Sequence, residues 1–95
     1  MRSSSLKDGD IVAVVNMAGE YVGRLAGQTD NKVTIENPRM VMNGPEGMGF
    51  AHGICVTGQR DPKSADFYVG GLVFISPVND DIEKAWITHT SGIIL

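Results

Sequence analysis

The sequence has little of several things, and each shortage excludes something. Cys55 is its only cysteine, so no intramolecular disulfide can form, and a reducing cytoplasm is the expected compartment. Basic residues are few: 8 Lys and Arg stand against 11 Asp and Glu, for a formal net charge of −3. That excludes broad, non-specific polyanion binding, which needs many cations on one face, but leaves room for a small specific nucleic-acid site. The longest apolar run, "IVAVV" (11–15), falls far short of the about 20 residues that cross a bilayer. The opening "MRSSSLKDGD" lacks the apolar stretch of a secretory signal. Internal repeats and low-complexity tracts are absent from the sequence.

What remains is ordinary globular composition, with 42% hydrophobic and 20% charged residues in 95 positions, enough for one domain with a modest core. "GDIVAVVNM" (9–17) is rich in β-branched residues after a Gly-Asp breaker and predicts a strand. Ala18-Gly19 turns the chain. "EYVGRLAGQ" (20–28) alternates, with Tyr21, Gly23 and Leu25 on one face and Val22, Arg24 and Ala26 on the other. "TDN" breaks the pattern, and "KVTIENPRMVMN" resumes it. Pro38 donates no hydrogen bond and marks an edge, a bulge or a bend.

The glycine-rich stretch 43–65 is less regular; within it "FAHGICVTG" has strand character and "QRDPKS" reads as a polar turn. "DFYV" and "LVFISP" are short strands, and the Gly70-Gly71 pair between them predicts a tight hairpin. The period then changes. Val78, Ile82, Ala85, Trp86 and His89 share one face of a helix over 78–92, capped by Ser76 or Asn79, with Asp80 and Asp81 in its first turn and Gly92 as its stop. Five short strands and a terminal helix predict a mainly β fold: a small, strongly bent antiparallel sheet or open barrel with a C-terminal helix, in a single domain.

In that order of elements, "AGEYVGRLAGQTDNKVTIENP" (18–38) resembles the first signature of the Sm-like (LSm) family. The matching residues are Gly19, Gly23, Leu25, Glu36 and Asn37. "FYVGGLVFISP" (67–77) is similar to the second signature, two short strands about a glycine turn, and the arrangement resembles small Sm-like proteins of marine cyanobacterial phages. The resemblance covers roughly 9–42 and 66–77, leaving 43–65 as an enlarged loop and the helix outside the motif. The first strands are also similar to the KOW-type barrel, a module usually more basic than this chain.

The resemblance implies a homo-oligomeric ring of about five to seven subunits, closed by edge pairing. The interface residues would be Phe67, Tyr68, Val69, Leu72, Val73, Phe74 and Ile75. It also implies single-stranded RNA at the pore, contacted here by Asp30, Asn31, Lys32, Gly70 and Gly71. The carry-over is partial. Lys32 stands where the family has asparagine, no aromatic lies in the 28–32 loop, and Val69 or Gly70 takes the place of the family's arginine. A structural or partner-binding scaffold without RNA affinity is the alternative. No catalytic residues, cofactor or metal site are assigned. His52 and Cys55 in "HGIC" lack a second ligand pair, Cys55 between Ile54 and Val56 reads as packing, and neither glycine-rich segment carries a phosphate-loop Lys-Ser/Thr.

Overall fold

The structure, a computed structural model, describes residues 6–91. Three antiparallel strands form a meander: β1 (Ile11–Asn16), β2 (Gly19–Gln28) and β3 (Lys32–Gly44). Their alternation places Val12, Val14, Tyr21, Leu25, Val33 and Ile35 on one face and Ile11, Ala13 and Val22 on the other. Asn16 closes the first turn, its side-chain oxygen accepting from the amides of Ala18 (2.8 Å) and Gly19 (3.0 Å). The turn therefore lies at Met17-Ala18, and Gly19 already belongs to β2.

Gly23 sets the curvature. Opposite it, the β2–β3 register jumps from Val22↔Arg39 to Arg24↔Glu36, so Asn37 and Pro38 bulge against one residue. Asn37 takes a positive φ of 49°, which asparagine tolerates better than most residues. A Cβ at position 23 would run into the side chain of Ile35 and lie 2.8 Å from the Glu36 carbonyl oxygen. Only glycine admits this approach.

The second half departs from the sequence expectation in three ways. The segment 43–65 contributes a strand of its own, β4 (Gly47–Phe50), which folds back on the end of β3. Residues 51–58, which have strand character in sequence, form bends and turns instead, and Cys55 is exposed rather than packed. The strands flanking Gly70-Gly71, β5 (Ser64–Tyr68) and β6 (Leu72–Pro77), do not form a hairpin. β5 pairs with the start of β3 and β6 with β1, joined by one 3-10 turn, Val69–Gly71. Longer ladders on β1 and β3 outcompete the local pairing that the glycines favour. The result is a six-stranded antiparallel sheet in the order β4-β3-β2-β1-β6, with β5 also on β3, open between β5 and β6.

The helix α1 (Asp80–Ser91) packs on the outer face. Asn79 caps it, its side-chain oxygen accepting from the Ile82 amide at 2.9 Å, while Ser76 and Pro77 stay in β6. The predicted stop at Gly92 lies outside the described residues. Trp86 is buried against Ile11, Ala13 and Val22, and its indole N–H donates to the Asn37 carbonyl at 3.0 Å. Arg24 lies over the ring, 5.5 Å from its centroid.

Two outcomes test this arrangement. Trp86→Ala should cost about 3–5 kcal/mol of unfolding free energy, and emission from the parent's Trp86 should be blue-shifted from that of free tryptophan. Gly23→Ala should lower the urea midpoint by the equivalent of about 1–3 kcal/mol. A native spectrum like that of free tryptophan, or an unchanged midpoint for Gly23→Ala, would contradict the packing.

Candidate nucleic-acid and assembly site

The loop between β2 and β3 is built by Thr29, whose hydroxyl accepts from the amides of Asn31 and Lys32, both at 3.2 Å. The turn between β5 and β6 lies against it: the Val69 amide donates to the Asn31 carbonyl at 2.8 Å, and Lys32 stands opposite Tyr68 in the ladder. Asp30, Asn31, Lys32, Gly70 and Gly71 thus lie at one end of the molecule, although about 40 residues separate the two groups in sequence.

This end carries one more acid than base, Asp30 and Asp66 against Lys32. Lys32 Nζ lies 3.1 Å from Asp66 Oδ2, and Asp66 Oδ1 accepts from the Thr34 hydroxyl at 2.7 Å. The Thr34 hydrogen bond, then the Lys32 hydrogen bond and charge, hold the Asp66 carboxyl below its ordinary value. The charge of Lys32 is therefore largely answered within the chain. An aromatic surface is present, though not in the loop itself: Tyr68, across from Lys32, is 63% exposed.

The seven residues that the resemblance places at an interface divide by burial. Phe67 belongs to the subunit's own core, its ring 5.1 Å from that of Tyr21, and Leu72 and Ile75 lean on the same cluster. Val69 is partly buried. Tyr68, Val73 (53% exposed) and Phe74 (49% exposed) are large apolar side chains open to solvent. All three lie on strands whose second edge has no partner among the described residues. Val73 and Phe74 are both exposed although they are consecutive, so β6 is uncovered on two sides.

A second polar cluster lies in the insert. Arg39 is only 3% exposed; its guanidinium donates to the carbonyls of Pro38 (2.9 Å) and Pro62 (3.3 Å) and pairs with Asp61 Oδ1 at 3.3 Å. Burial lowers the Arg39 pKa, and Asp61 opposes that shift. His52 Nδ1 lies 3.1 Å from the same carboxylate oxygen. Sequence reading paired His52 only with Cys55. Its true neighbours, Asp61 and His89, lie 9 and 37 positions downstream, on a loop and a helix, and no spacing rule joins them. Asp80 and Asp81 stand in the first turn of α1, where they complement its dipole.

Compared with known proteins, the chain matches no family model, and no curated protein matches it.

The Asp66 arrangement makes a pH prediction. Its folded pKa is depressed, so its contribution is present above the ordinary aspartate value of 3.8 and is lost as pH falls through the lower folded value. The difference in urea midpoint between the parent and Asp66→Asn should be open at neutral pH and close on strong acidification. A difference independent of pH would show that the carboxylate charge plays no part.

Proposed function

We propose that copies of this chain assemble through β5 and β6 into a closed homo-oligomeric ring of the Sm-like type, of about five to seven subunits, that binds single-stranded RNA weakly at its pore. The observation that carries the reading is the opening in the sheet. Two strands joined by a single turn each keep an unpaired edge, and those strands bear exposed Tyr68, Val73 and Phe74. Such edges invite pairing with another chain. Setting β5 of one copy beside β6 of the next pairs both edges through a head-to-tail contact, which closes into a ring when the rotation permits.

The RNA reading rests on the loop 29–32 and the turn 69–71 sharing one end, where Tyr68 offers a stacking face and Lys32 a cation. With Lys32 already paired to Asp66, one subunit contributes little attraction, so affinity comes from repetition around the ring. The same ion pair favours a second reading, a scaffold ring without RNA affinity. In both readings the chain's role is assembly and binding rather than catalysis.

Static light scattering at micromolar concentration should give one species of several subunits, and Phe74→Lys should dissociate it; a monodisperse parent monomer would end the ring reading. Anisotropy of labelled oligo-U and oligo-A should show binding at low salt that falls steeply as salt rises, and Lys32→Glu should abolish it while the ring persists. Absence of binding at low salt would leave the scaffold.

A further inference from the structure

His52, Asp61 and His89 converge from three separate stretches of chain: the insert after β4, the far end of the same insert, and the last turns of α1. One ring nitrogen from each histidine and one carboxylate oxygen lie within 4.8 Å of one another. The two imidazole centroids are 4.9 Å apart. We propose that this trio is a binding site for a divalent transition-metal ion of the zinc class, held by two imidazoles and one carboxylate, with solvent completing the coordination.

Four observations support the site. First, His89 Nε2 is buried and has no hydrogen-bond partner. A buried ring nitrogen without a partner is costly, and a metal ion answers it directly. Second, the His89 ring hydrogen-bonds the Ala51 backbone. Metal-binding histidines are commonly oriented this way, with one nitrogen on a backbone group and the other presenting its lone pair. Third, Asp61 adopts a positive φ of 51°, held by its amide donating to the His52 carbonyl and by its carboxylate on Arg39 and His52. Aspartate tolerates that region better than most residues, and these bonds fix the direction of its side chain. Fourth, two histidines and a carboxylate are a donor set suited to zinc, with one position left for water.

The geometry needs only a small closure. Ligands bound at about 2.0–2.2 Å in a tetrahedron stand about 3.3 Å apart. His52 Nδ1 and Asp61 Oδ1 are already 3.1 Å apart, and the widest separation in the trio is within 4.8 Å. Closure would replace the direct His52–Asp61 hydrogen bond with bonds from both groups to the ion. Arg39 would remain on the carboxylate as the neighbour that holds it in place. A bound ion would fasten α1 to the insert, since His89 is the only one of the three on the helix.

The test uses the full chain without an affinity tag. Titration with Zn²⁺ by calorimetry should show saturable binding of one ion per chain, and Co²⁺ should give the visible absorption of a four- or five-coordinate site. His52→Ala and His89→Ala should each weaken binding at least about tenfold, and Cys55→Ser should leave it unchanged. His52 is exposed, so its variant is expected to fold even if His89→Ala does not. Zn²⁺ should raise the melting temperature of the parent and not that of His52→Ala. Absence of saturable binding, binding kept in His52→Ala, or binding lost in Cys55→Ser would each overturn the proposal.

Discussion

The close approach of Gly23 to the Asn37-Pro38 bulge is the constraint on which the rest of the structure depends. With no side chain at position 23, β3 can crowd β2 and bend there. The bend divides β3 between two partners, β5 before it and β4 after it. It also turns Asn37 so that its amide donates to the Lys63 carbonyl and its own carbonyl accepts from Trp86. Arg39, two residues on, reaches Pro62 and Asp61. Two residues, Asn37 and Arg39, therefore fasten the start of β5, the insert and the helix to the middle of the meander. The sheet curls around the cluster of Val12, Val14, Leu25, Val33 and Ile35, while the helix covers the opposite face.

Basic residues are few, and several of them are committed within the chain. Arg39 holds Asp61, Lys32 holds Asp66, and Arg24 lies over Trp86. This matters for function more than the net charge does. A protein whose well-placed cations are already paired attracts polyanions poorly one site at a time, and repetition in an assembly then becomes the route to useful affinity.

Much of the fold was legible in the sequence because its signals were local. β-Branched richness in 9–17 and alternation in 20–28 and 32–43 marked the three meander strands, and the run from Val78 to His89 marked the helix with its Asn79 cap. Where the signal was non-local, sequence reading went astray. Gly70-Gly71 fits a hairpin turn, but what β5 and β6 pair with depends on β3 and β1, far away in sequence. β4, "GMGF", is only four residues long and half glycine, too short and too poor in β-formers to read as a strand. Of the residues taken for an interface, Phe67 was indistinguishable from Phe74 by pattern, yet one lies in the core and the other at an open edge. The meeting of loop 29–32 with turn 69–71 was suggested only by family resemblance. The cluster of His52, Asp61 and His89 was hidden by sequence distance.

The central claim is that β5 and β6 find their missing partners in neighbouring copies. Amide hydrogen exchange over residues 64–68 and 72–77, followed as a function of protein concentration, tests it most directly. In an isolated subunit about half the amides of an edge strand point away from the sheet and exchange fast. The account predicts that both segments are protected nearly as well as β1 at high concentration, and that both lose protection together on dilution. Fast exchange in both segments at every concentration would contradict it.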